Sequence, residues 1–93
     1  MPTIAWFYGI AIRMYIVDHE PPHFHAIYGE YEAFVSIETG LVIEGELPNV
    51  AARLVKQWAL AHRRELRNNW RLARAGRQPE KIAGLDADKS DTY

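Results

Sequence analysis

Three of the four histidines fall in one short stretch, His19, His23 and His25, beside Asp18 and Glu20. Imidazole and carboxylate groups in company hold borderline divalent metals and move protons near neutral pH. The run His19-Glu20-Pro21-Pro22-His23 spells the H-E-x-x-H of zinc peptidases. That motif works only because a helix brings both histidines to one face. Two consecutive prolines fix φ and remove two N–H donors, so this segment is a stiff connection and the peptidase reading fails. On a strand, however, His23 and His25 point the same way. With His19 or Asp18 looping back, His19, His23 and His25 are candidate ligands for a divalent metal, and no other cofactor is expected.

The same groups suit metal-independent RNA cleavage. That reaction needs a base for the 2′-hydroxyl, an acid for the leaving oxygen and a cation for the phosphate. His23, His25, His62 and Arg13 are the candidates, provided they converge. The third reading is structural, with the histidines bonded to backbone around the Pro-Pro corner.

The elements that must position these residues are readable from period and punctuation. Thr3 to Tyr8 is β-branched and aromatic, a strand broken at Gly9. From Ile10 to Val17 apolar residues recur at every second position, predicting a second strand that ends in the Asp18–His25 segment. His23 to Tyr28 and Tyr31 to Glu38 read as a hairpin closed by Gly29-Glu30, and Gly at the first central position suits a II′ turn. Thr39-Gly40 then leads into a short last strand, Leu41 to Ile43.

Near Pro48-Asn49 the period becomes helical, with Asn49 as a cap. No further Pro or Gly occurs until Gly76, a natural C′ residue. That interval predicts one helix of about 27 residues and roughly 40 Å. The expected fold is α+β: a four- to five-stranded antiparallel sheet followed by one long C-terminal helix packed on it. A single domain would cover residues 1–83, with 84–93 a frayed acidic tail.

At 100° per residue, Ala51, Leu54, Val55, Trp58, Ala61, Leu66, Leu72 and Ala73 share the face expected on the sheet. Arg53, Lys56, Arg63, Arg64, Arg67, Arg71 and Arg74 occupy the opposite arc. This stripe is either a solvated face or a track for phosphates or an acidic partner, its arginines suiting bidentate contacts. His62, Glu65 and Asn69 fall within the apolar arc. Buried polar groups need hydrogen-bond partners, so these three either tie helix to sheet or, with Glu20, line a polar cleft.

Charge is divided sharply along the chain. Residues 1–50 hold one base and seven acids, a balance of −6, whereas residues 51–81 hold nine bases and two acids, a balance of +7. A segment so basic attracts nucleic acid, an acidic protein, or the acidic half of a second copy, so RNA or DNA, a protein partner and a homodimer are all carried as expectations. There is no cysteine, which excludes disulfides and thiol chemistry and fits a reducing compartment. No apolar run approaches the roughly 20 residues that cross a bilayer. The first residues lack the charged and apolar regions of a secretory signal, so a cytoplasmic location is expected.

Several segments resemble the family catalogued as domain of unknown function 4160. They are Met1-Pro2-Thr3-Ile4, Phe7-Tyr8-Gly9-Ile10, Asp18 to His25, Tyr28-Gly29-Glu30-Tyr31, Glu44-Gly45-Glu46-Leu47, His62-Arg63, Glu65-Leu66 and Asn69-Trp70. The proline-histidine segment is the most specific part, and the likeness covers roughly residues 1–83. The resemblance implies a small bacterial domain encoded beside another small protein, as in toxin–antitoxin pairs, and implies no reaction. Trp6, where the family often has a basic residue, and the Arg-rich helix exterior depart from its pattern. The leading expectation is therefore a binding module of such a pair, engaging an acidic partner or nucleic acid through its basic helix. A small ribonuclease and a divalent-metal domain are the alternatives.

Overall fold

The computed structural model describes residues 3–16 and 18–86. Five strands follow one another: β1 (Thr3–Phe7), β2 (Ile10–Arg13), β3 (His23–Tyr28), β4 (Tyr31–Ser36) and β5 (Val42–Gly45). They form one antiparallel sheet in chain order, so every strand pairs with its sequence neighbours. The turn between β1 and β2 places Tyr8 and Gly9 at φ 50 and 79, the left-handed pair that a tight hairpin of matching twist requires. In the β3–β4 hairpin only Gly29 has positive φ, as a II′ turn demands, and Tyr28 faces Tyr31.

Alternation gives the sheet two chemically different faces. Phe7, Ile10, Ile12, Phe24, Ala26, Ala33 and Val35 are buried in the core. Trp58 packs into this side, its ring 5.2 Å from that of Phe7 and edge-on to Phe24. The cross-strand row Arg13, His25 and Phe34 emerges on the other face. β2 is shorter than its pattern suggests, because the chain leaves the ladder after Arg13; Met14 still packs into the core, Tyr15 and Asp18 lie against the histidines of the second face, and Val17 lies outside the described residues.

The expected single long helix is two: α1 (Asn49–Ala61) and α2 (Arg63–Arg74), broken at His62, whose φ of −117 and ψ of 27 leave the helical range. No Pro or Gly causes the break, so composition gave no warning. A straight helix over this span would run about 39 Å, far beyond strands of roughly 14–20 Å. Beyond the break α2 buries Leu66, Asn69, Trp70 and Ala73, as α1 buries Ala51, Val55, Trp58 and Ala59. Of the face expected on the sheet, Ala61 is exposed and Leu54 and Leu72 are half-buried. Pro48 rather than Asn49 occupies the N-cap, with no side-chain capping bond.

The C-terminal stop is as expected. Gly76 at φ 77 lets Arg77 N–H donate to the Leu72 carbonyl and Gly76 N–H to that of Ala73, a Schellman closure. The following segment returns along the body: Ile82 N–H donates to Ile4 O at 2.7 Å and Trp58 Nε1–H to Ala83 O at 2.8 Å. Gly84 is buried, so close to the Trp6 carbonyl and Phe7 that a Cβ would collide with both. The packed body thus continues to Asp86, and residues 87–93 of the expected tail lie outside the described residues. Among the described residues no helix is long and apolar enough to cross a membrane.

Candidate metal centre

The polar groups of the Pro-Pro segment converge on Asp18. The Glu20–Pro21 bond is cis, and the chain re-enters the sheet at His23. From there His23 and His25 rise on one face of β3, their rings 5.3 Å apart. Asp18, brought back over that face, places Oδ2 3.2 Å from His23 Nε2 and 3.2 Å from His25 Nε2. Its other oxygen accepts the His19 backbone N–H at 2.8 Å, which fixes the carboxylate's orientation. Asp18, His23 and His25 thereby offer three ligand atoms within 4.8 Å of one another.

The far nitrogen of each ring has a partner. His23 Nδ1 lies 2.8 Å from the Pro21 carbonyl, which can only accept, so in the neutral ring Nδ1 carries the proton and Nε2 presents a lone pair. His25 stands between two carboxylates, its Nδ1 3.3 Å from Glu32 and its Nε2 hydrogen-bonded to Asp18 Oδ2 at 3.2 Å, which together fix the ring's orientation. His19 repeats the arrangement at the surface, with Nδ1 3.1 Å from the Glu20 carbonyl and Nε2 3.8 Å from Asp18 Oδ1. Carbonyl and carboxylate partners behind an imidazole are the outer shell that metal-ligating histidines carry.

Aromatic packing holds these rings in place. Phe34 stacks on His23 at 5.3 Å and lies 4.3 Å from His25, whose other side meets Tyr15 edge-on at 4.2 Å. Trp70 from α2 reaches His23 at 5.4 Å, Arg74 lies over Trp70, and Arg74 Nη1 bonds Glu20 Oε2 at 2.6 Å. The corner and the second helix therefore do meet, through Trp70 and Arg74. His23 is 1% exposed, yet its Nε2 makes no hydrogen bond: Asp18 stands in ion-pair range but outside bonding geometry. Burial works to raise the Asp18 carboxyl, but the His19 N–H, the His25 bond and the charge that protonated His23 and His25 would carry outweigh it and hold the carboxyl below its ordinary value.

Of the remaining candidates, Arg13 adjoins the centre. His62 sits at the helix break, its ring 5.5 Å from Trp58 and its Nδ1 2.5 Å from Glu65, on the core side of the sheet and apart from the Asp18 group. Asn69 is buried and engages both backbone groups of Glu80 at 2.8 Å, tying α2 to the returning segment; with Glu65 it lines a cavity between the two, and Glu20 is not among its lining residues. Arg13 stands directly opposite His25 in the β2–β3 ladder. On the helix exterior, Arg53, Lys56, Arg64, Arg67, Arg71 and Arg74 are exposed and Arg63 is half-buried. Part of that charge is answered internally: Arg67 grips Glu38 with two bonds, which hold the Glu38 carboxyl below its ordinary range, and Arg71 bonds Asn68. Glu32 escaped the sequence reading although a signal existed, since a two-residue turn at Gly29-Glu30 pairs Ile27 with Glu32 and sets that acid diagonal to His25.

The profile of the family described as Domain of unknown function (DUF4160) matches residues 9–71, and the chain belongs to that family. The match takes in the whole Asp18–His25 corner and α2 as far as Arg71. Neither the curated proteins nor the solved structures yield a match.

Proposed function

We propose that the chain is a divalent-cation-binding domain, with Asp18 Oδ2, His23 Nε2 and His25 Nε2 as ligands for a borderline ion such as Zn²⁺ and His19 beside them as an exchangeable fourth. One observation carries the reading: a fully buried imidazole, its tautomer set by Pro21, turns an unbonded lone pair toward a carboxylate oxygen. Two acceptors in that position repel unless a cation stands between them, and burying an unsatisfied nitrogen costs about 1–3 kcal/mol. Metal bonds of about 2.0–2.1 Å in a tetrahedral site set ligand atoms roughly 3.3 Å apart; Asp18 Oδ2 lies 3.2 Å from each Nε2, and all three atoms lie within 4.8 Å of one another. A domain free of cysteine suits a reducing cytoplasm.

Thermal denaturation with and without Zn²⁺ tests this. An ion held by the folded state alone stabilises by about 2.7 kcal/mol at a hundred times its Kd. For a domain of this size that is a rise in Tm of roughly 10–20 °C. His23→Gln should abolish the rise; an equal rise in that variant would contradict the ligand assignment.

A second reading keeps the basic helix as a contact surface for an acidic partner or nucleic acid, in a regulatory or toxin–antitoxin-like pair. It is favoured by Arg63, Arg64, Arg67, Asn68 and Arg71, which line one shallow concavity on α2. Binding of that kind should weaken steeply with salt; RNA affinity equal at low and high salt would dispose of it. The metal-independent nuclease draws no support from the geometry, because His62 stands apart from the other imidazoles.

A further inference from the structure

Arg13 is the one basic residue in the first half of the chain, and its place is electrostatically odd. It is half-buried, its Nε is buried without a hydrogen-bond partner, and among the described residues its side chain makes no ion pair. In the β2–β3 ladder it stands directly opposite His25, so both side chains rise from the same face with Cβ atoms about 5 Å apart. A guanidinium is an obligate cation with five donors, and here the Nε–H is enclosed without an acceptor.

A divalent ion at Asp18, His23 and His25 sharpens the problem. The ion and Arg13 bring three positive charges to this face, and Asp18 and Glu32 supply two negative ones, leaving an excess of one. Three protein ligands leave a tetrahedral ion one position, which His19 fills only from the surface, where its side chain is 72% exposed. An anion that bridges the ion and the guanidinium resolves both conditions at once.

We infer that the centre takes a phosphate-type oxyanion, one oxygen on the metal in place of His19 and a second on Arg13. This rests on the cation reading above and adds its ligand class. Phosphate suits the pair better than a halide because its oxygens are spread widely enough to meet a metal and a guanidinium together. Arg13 is then the residue that selects the anion, while Asp18, His23 and His25 hold the metal.

The test uses the full chain loaded with Co²⁺ and freed of excess ion, titrated with inorganic phosphate while the visible d–d bands report the coordination sphere. In the unaltered protein phosphate should shift the bands saturably. Arg13→Met should take up Co²⁺ equally and show the same starting spectrum, with phosphate affinity about ten- to a hundredfold weaker, the worth of a charged hydrogen bond. Arg13→Lys, which keeps the charge and loses the fork, should fall between the two and carries the test should the methionine variant fold poorly. Equal phosphate affinity in all three proteins, or bands that phosphate leaves unchanged, would overturn the inference while the metal site stands. Failure of the unaltered protein to take up Co²⁺ would overturn the cation reading and the inference with it.

Discussion

Replacing Asp18 with Asn should make the metal-free protein more stable, not less. The reason lies in the hydrogen bonding of the two rings. His23 Nδ1 serves the Pro21 carbonyl, so its Nε2 turns an unbonded lone pair toward Asp18 Oδ2 at 3.2 Å, while His25 Nε2 hydrogen-bonds the same oxygen at 3.2 Å. In Asp18→Asn the amide oxygen keeps the His19 N–H, and the amide nitrogen takes the Oδ2 position with two hydrogens to donate, one to His23 and one to His25 once the His25 proton sits on Nδ1 opposite Glu32. The His25 bond is exchanged and the His23 bond is new, so the gain is that of one neutral hydrogen bond, about 0.5–1.5 kcal/mol. For a domain of this size that raises Tm by roughly 2–12 °C.

The assay is thermal denaturation in a chelator at about pH 8, where imidazole is ordinarily neutral. The pH matters for a second reason. The Asp18 carboxyl is held below 3.8, so the stability that its ionised form contributes is complete above that value and lost as pH falls through the lower folded value. The comparison must therefore be made well above that range. In the same variant, stabilisation by Zn²⁺ should disappear, because the ion loses a ligand and its only direct counter-charge. A lower Tm for Asp18→Asn in chelator would refute the reasoning, for it would mean that Asp18 accepts from a protonated imidazole and the cluster is an ion pair.

Asn69→Ala removes both bonds to the Glu80 backbone and should cost about 1–3 kcal/mol, seen as a lower Tm with metal uptake unchanged; an unaltered Tm would show that the returning segment is held by other contacts. Glu38→Gln should slightly lower the urea midpoint at neutral pH. The Glu38 carboxyl is held below 4.5 by Arg67, so its contribution is present above that value and lost as pH falls through the folded value. The gap between variant and parent should close in acid and shrink in high salt, and a gap constant with pH would contradict the pairing. Gly45→Ala should unfold the β5 edge, because Gly45 sits at φ 85 and an added Cβ would run into the Glu32 carbonyl; an unchanged Tm would refute that register.

Strand order and hairpin register were legible because their signals are local. Gly9 and Gly29 fix two turns, and alternation along β3 and β4 then decides which side chains share a face. Gly76 likewise announced the end of the second helix. The break at His62 was not legible, since no residue there disfavours a helix. It goes with each helix burying its own set of residues on the body, a global property no local window contains. The site was half legible. Clustered histidines and the strand period put His23 and His25 together, but the position of Asp18 over them is a matter of tertiary structure. The partners of His62 and Asn69 were not legible for a related reason. Their helical phase correctly marked them as needing partners, and those partners proved to be Glu65 and the Glu80 backbone, each reached within the C-terminal half.

The proposal stands or falls on whether a cation occupies the gap between one carboxylate and two imidazoles. Equilibrium dialysis of chelator-stripped, tag-free protein against Zn²⁺, followed by elemental analysis, measures this directly. The account predicts one ion per chain, lost when Asp18, His23 and His25 are replaced together by Asn, Gln and Gln in a protein that still folds. Protein that emerges free of metal, or a triple variant that retains the same stoichiometry, would contradict it.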